Sequence, residues 1–192
     1  GLIAMQIMQN AFANTSSSLM ISKIQGNIVD ILFPPLSAGE VTFALILGGI
    51  TRGLVVGFFS ILVSLFFIKI PFYNIFYVLA FATLGSALLA ALGFIAGLWS
   101  EKFDYMAAVT NFVVVPLSFL SGTFFSIKKL EGPIHIFSQL NPFFYIIDGF
   151  RYGFLGQSDS NVHIGLLILI ICNILLFGLC YLLFKKGYKI KS

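Results

Sequence analysis

Apolar residues come in long runs along this chain, and the polar interruptions between the runs are short. A bilayer core takes roughly 20 apolar residues as a helix. Five stretches reach that length, at about 1–21, 41–68, 73–98, 105–126 and 163–184. The third carries no charge from Tyr73 to Leu98, and the first is the least apolar. The pattern predicts five transmembrane helices in one all-α polytopic membrane domain, 1–192, with no repeat or linker dividing it.

Helix ends are legible in places. Pro34-Pro35 stops the helix that precedes it. Ser37-Ala38-Gly39-Glu40 is a capping box, with Ser37 at the N-cap and Glu40 three residues on, ahead of an apolar run. The helix it starts is expected to reach Ile68, about 31 residues or roughly 46 Å at 1.5 Å per residue. The hydrocarbon layer is about 30 Å thick, so the first turns stand outside it, or the helix tilts or bends. An apolar slab that ends near Ile68 begins near Gly49. Arg52 then sits about one turn inside and can reach the headgroups. An anchoring role is expected for Arg52, with an intramembrane functional charge as the alternative.

Polar positions inside the runs carry the candidate chemistry. Gln6, Asn10, Asn14 and Ser17 form one stripe on the first span. In lipid they need partners, either hydrogen bonds between helices or the lining of a path for a polar or amphipathic substrate. Gly49, Gly53 and Gly57 form one small-residue ridge, and Gly93 with Gly97 another. These predict close helix packing, within the chain or between subunits. Residues 19–33 are amphipathic: Ile21, Ile24, Ile28, Ile31 and Leu32 recur at helical spacing, with Lys23, Asn27 and Asp30 on the other side. They predict a short helix along the cytoplasmic membrane surface, which is either a partnerless interfacial helix or one that presents its polar side to a cytoplasmic protein.

Residues 127–162 are too apolar for a free loop and too charged for a clean span. The core runs from Leu140-Asn141-Pro142 through Asp148 and Arg151 to Gly156. Asp148 and Arg151 can pair at i, i+3, and the aromatics suit an interfacial belt. A helix dipping back into the outer leaflet is expected. It serves as an interfacial anchor, or as part of an outer gate that would include Asn141, Pro142, Asp148 and Arg151.

Composition sharpens this picture. Hydrophobic residues make up 59% of the chain and charged residues 9%, against roughly 25% charged in a soluble domain. A water-soluble fold lacks its polar coat here, and disorder needs low hydrophobicity. The net charge is +4. Lys185, Lys186, Lys189 and Lys191 form a tail without an acid, which the positive-inside rule places in the cytoplasm. Counting back through five spans puts Gly1 outside, the loop 22–40 and the turn 99–104 in the cytoplasm, and 69–72 and 127–162 outside. Lys23 and Lys102 fit; Lys69, Lys128, Lys129 and Arg151 fit less well. An outside start without a signal peptide predicts one leading helix upstream and a six-span parent.

Other function classes lose support. No basic surface is interleaved with aromatics, so no nucleic-acid partner is expected. Cys172 and Cys180 share one apolar run without CxxC spacing, and His135 and His163 have no ligand spacing, so no metal site is expected. The chain has no GxxxxGK[ST] loop, no GxSxG elbow and no HExxH pair. Spans three to five hold no interior Asp, Glu, Lys or Arg, which weakens both an enzyme and an ion-coupled carrier.

The whole chain resembles the permease subunit of ABC-2 type ATP-binding-cassette exporters, the small bacterial members above all. The resemblance rests on Gly1-Leu2-Ile3 with Asn10-Ala11-Phe12-Ala13-Asn14, and on Ala44 to Gly53, ending in Thr51-Arg52-Gly53. It rests further on Pro116-Leu117-Ser118-Phe119-Leu120-Ser121-Gly122-Thr123-Phe124-Phe125-Ser126, and on Leu140-Asn141-Pro142 through Phe150-Arg151-Tyr152-Gly153. It implies six spans, a homodimer of permeases in the inner membrane, and a separate P-loop ATPase subunit that carries the ATP and Mg. No cofactor is then expected in this chain, and membrane lipid surrounds it. Lys23 to Leu36, which include Gln25, Asn27 and Asp30, resemble the coupling helix that docks on the ATPase. Glu101-Lys102-Phe103-Asp104 resembles the second cytoplasmic contact, and 127–156 the family's external re-entrant helices. The expected function is ATP-driven export of an amphipathic or lipid-linked cargo, such as a drug, a glycolipid or a polysaccharide. A passive channel or secondary transporter is the rival reading, and a membrane enzyme or assembly scaffold a third.

Overall fold

A computed structural model describes residues 1–26, 36–124 and 140–188. Six helices order the described residues. They are α1 (Leu2–Ile24), α2 (Ala38–Phe67), α3 (Ile75–Trp99), α4 (Phe103–Leu120), α5 (Pro142–Leu155) and α6 (Val162–Lys185). The described residues include no strand. Among the described residues, four helices can cross a membrane by length and hydropathy: α2, α3, α4 and α6. This is one fewer than expected from the apolar runs. α1 has the length, at 23 residues, but its Gln, Asn and Ser residues dilute its hydropathy. It also continues to Ile24, through the start of the amphipathic stretch, and Gly26 (φ 73°) lies just beyond it. The rest of the expected surface helix, and Pro34-Pro35, lie outside the described residues.

Side-chain caps set several helix starts. Ser37 Oγ accepts from Glu40 N (3.3 Å), while the Glu40 carboxylate accepts from Ser37 N (2.7 Å). The capping box is therefore formed on both sides, and Ile68 is the C-cap of α2 as expected. Asn74, Asn141 and Asn161 cap α3, α5 and α6 through their Oδ1 atoms. α4 is not uniform. An α-helical turn, Phe103–Val109, passes through a π-helical stretch, Thr110–Val114, into Val115–Leu120. Pro116 has no N–H to give, so an earlier carbonyl loses its helical partner, and a register slip at this point accommodates the loss.

α3 is the central helix. Phe81, Leu88, Leu89, Phe94 and Leu98 on it are buried, together with Met8, Phe12 and Leu19 of α1. Both glycine ridges serve packing inside the chain. A Cβ on Gly97 would stand 2.9 Å from Ser16 O, and Gly93 abuts Phe12 in the same way. Gly49, Gly53 and Gly57 of α2 meet α1 at Thr15, Ile7 and Ala11. Glycine there lets the backbones come within reach of one another's carbonyls.

At 14 residues, α5 is about 21 Å long, too short to span. It runs antiparallel to the first half of α3, with Ile146 against Gly85, Gly149 against Phe81 and Gly153 against Val78. Its C-terminal end is tied by Tyr73 N and Asn74 N, which donate to Gly153 O (3.1 and 2.9 Å). α5 thus runs along only part of the length of α3.

Candidate functional site

Gln6, Asn10, Asn14 and Ser17 lie on the side of α1 turned away from its buried Met8, Phe12 and Leu19. Gln6 is exposed, Asn10 and Ser17 are half-buried, and Asn14 is half-buried beside α2. Asn10 Nδ2 donates back to Gln6 O (3.0 Å), and Ser17 Oγ to Asn14 O (3.2 Å). The stripe is thus a real face, and its backbone acceptors are partly used by its own side chains.

α2 adds a residue to this face that hydropathy alone places elsewhere. Arg52 Nη1 donates to Asn14 Oδ1 at 3.3 Å. The Asn14 amide lies against α2 at Gly48, where a Cβ would be in ordinary contact with Asn14 Nδ2 at 3.7 Å. The depth of Arg52 differs from the expected single turn. A Cβ on its neighbour Gly53 would stand 2.9 Å from both Ile7 O of α1 and Ser86 Oγ of α3. Ser86 is eleven residues after Ile75 and thirteen before Trp99. Arg52 is therefore level with the middle of α3, and snorkelling serves cations near helix ends.

At the end of the bundle that carries Lys185, two expected contact elements meet. Lys23 Nζ donates to Leu98 O (2.7 Å), Ser100 O (2.8 Å) and Gly97 O (3.3 Å). These are C-terminal carbonyls of α3, where unpaired acceptors and the helix dipole favour a cation. Gln25 is the C-cap of α1 and is exposed. Glu101, Lys102 and Asp104 are exposed in the adjoining turn, with Lys102 the N-cap of α4 and Asp104 in its first turn. Asn27 and Asp30 lie outside the described residues.

The opposite half holds the four residues of the expected gate. Asn141 is buried. Its Nδ2 donates to Leu117 O (2.9 Å) and Ser121 Oγ (2.8 Å), and its Oδ1 accepts from Phe143 N (3.1 Å). Pro142 takes the first turn of α5, where its missing N–H is harmless. Asp148 and Arg151 do not pair with each other as their spacing suggests. Asp148, 2% exposed, accepts from Asp159 N (2.8 Å), Ser160 N (3.0 Å) and Ser160 Oγ (2.8 Å). Arg151 donates to Gly122 O and forms an ion pair with Asp159 at 3.5 Å. The loop between α5 and α6 outcompetes the i, i+3 pair because its backbone N–H groups satisfy the buried carboxylate.

A cavity of about 590 Å³ lies on the far side of α1 from the polar face, between α3, α4 and the inner end of α5. Ile95, Trp99, Val113, Leu117 and Phe143 line it, and Asn141 is already bonded. It is an apolar space and not part of the polar stripe. Among the described residues, no His, Cys, Asp and Glu group could hold a metal ion.

Long apolar helices packed around a shorter one, with a polar face on α1 and α2, fit a multi-pass membrane protein. The family profile of ABC-2 type transporters matches residues 1–155, and the chain belongs to that family. The inner membrane transport permease YadH of Escherichia coli (strain K12) is 33% identical over all 192 residues, which cover 75% of that protein. The same figures hold for YadH of Shigella flexneri. Nodulation protein J of Rhizobium leguminosarum bv. viciae is 32% identical over 84 residues, 43% of this chain and 32% of the relative. The chain is thus a membrane transport subunit of the ABC-2 type.

Proposed function

We propose that the chain is the permease of an ATP-driven exporter in a bacterial inner membrane, moving an amphipathic or lipid-linked cargo out of the cytoplasm. It acts as a homodimer with a separate P-loop ATPase, which holds the ATP and Mg. The observation that carries this reading is the polar face of α1 and α2. Gln6, Asn10, Asn14, Ser17 and Arg52 lie on the side of α1 and α2 turned away from the buried core of α1. Bare lipid is a poor environment for them; a water-lined path between two copies is a good one. α1 then counts as the fifth span, and the Lys185 end is cytoplasmic.

Coupling follows from the other end of the bundle. Lys23 ties the end of α1 to the end of α3, beside Glu101, Lys102 and Asp104. A push on the 23–36 segment by the ATPase moves both helices together. ATP drives transport only as far as its bound state favours one permease conformation over the other. Asp148 and Arg151 hold the outer loop, and Asn141 with Pro142 begins α5, so these four belong to the outer closure.

The test is reconstitution with a candidate P-loop ATPase partner. Asn14→Cys, in a chain whose Cys172 and Cys180 are replaced by Ser, should react with a membrane-impermeant thiol reagent, and trapping ATP should change that rate several-fold. If the Asn14→Cys variant stays unreactive in every nucleotide state, the path does not run along this face. Solute flux through vesicles that hold the permease without any ATPase would favour the channel or carrier reading.

A further inference from the structure

We propose that Arg52, oriented by Asn14, binds the anionic phosphate headgroup of an amphiphile. This rests on the transport reading above and narrows its cargo to a class. A guanidinium has five N–H donors in a planar fork and no acceptor. Among the described residues, the hydrogen-bond partner found for Arg52 is one neutral oxygen, Asn14 Oδ1, at 3.3 Å. The ion pair found there is Arg151–Asp159, at the outer loop. The charge of Arg52 is therefore unanswered by this chain's described carboxylates.

Depth makes that charge informative. A neutral, sugar-like group needs only hydroxyls and amides and no cation. A full charge level with the middle of α3 is costly, and the ligand class that offsets the cost is an oxyanion, which the guanidinium fork binds through paired charge-assisted hydrogen bonds. Asn14 Oδ1 holds one Nη of the fork, and Arg52 is otherwise exposed. Val55 and Phe59, one and two turns further along the face of α2 that carries Arg52, are exposed. A charged head at Arg52 with a hydrocarbon tail along α2 satisfies both surfaces at once, which marks the ligand as an amphiphile.

The experiment uses the permease–ATPase complex in nanodiscs of phosphatidylcholine, with radiolabelled dodecyl phosphate as the anionic probe and dodecyl maltoside as the neutral one. The wild type should bind dodecyl phosphate saturably, and at least about tenfold tighter than the maltoside, the value of a charge-assisted contact. Arg52→Gln should erase that preference, and Arg52→Lys should retain part of it. Equal binding of the two probes by the wild type overturns the proposal without recourse to any variant. Full dodecyl phosphate binding by Arg52→Gln overturns it as well. Trapping with ATP and vanadate separates the two sources of such a headgroup. Release of the probe marks a transported group. Retention marks a resident lipid, which upholds the site and removes it from the path. A complex that lacks ATPase activity sinks the transport reading, while the probe comparison still decides the site.

Discussion

Lys23 directs its donors to three carbonyls at the end of α3, and its loss exposes them together. Lys23→Met should lower the stability of the purified protein by about 1–2 kcal/mol, read as an earlier thermal midpoint in detergent. Lys23→Arg should recover most of it. Asp148 is more exacting, because three donors converge on a buried carboxylate. Asp148→Asn turns an NH₂ toward at least one of them and should cost about 2–3 kcal/mol. The loop 156–161 should then be cut faster by protease. Neither role is visible in the sequence. Lys23 reads there as a surface charge and Asp148 as the mate of Arg151, because their partners lie 74 to 77 and 11 to 12 residues away along the chain.

At the scale of elements, features that act locally are readable and those that need a partner are not. Apolar runs and one capping box mark α2 to within a residue or two, since both signals reside in adjacent side chains. α3 and α6 follow from their unbroken hydropathy. The small-residue ridges announce tight packing but not against which helix. Gly53→Leu would drive its side chain into the Ile7 carbonyl and Ser86, parting α1 from α2. Loss of folded protein in fluorescence-detected size exclusion is expected, whereas Gly178→Leu, where a Cβ meets nothing within 4 Å, should be silent. The slip in α4 is not legible even with Pro116 in view, because a proline signals an interruption and not which carbonyl yields. Pro116→Ala should restore ordinary helical pairing, detectable as slower amide exchange over 110–114.

For the whole molecule, class and broad architecture come from counting: too few charges, too many apolar runs, no catalytic motif. The polar stripe of α1 also shows at once, as four residues at helical spacing. Arg52 joins it only in three dimensions, since its depth is set by where α2 meets α3 and not by where α2 ends. Orientation rests on the lysines at the end of α6, and it predicts fusion phenotypes. A C-terminal green fluorescent protein should glow, and alkaline phosphatase inserted after Gln157 should be active; the reverse pair would invert the topology. One further tie shapes how such a molecule can move. Of the three hydrogen bonds described for the Asn141 side chain, two run to α4 and its C-cap, so one amide fastens the end of α4 to the start of α5. An opening between these two helices would have to break it, and Asn141→Asp, which sets oxygen against the Leu117 carbonyl, should loosen the junction, read as faster amide exchange over 117–121.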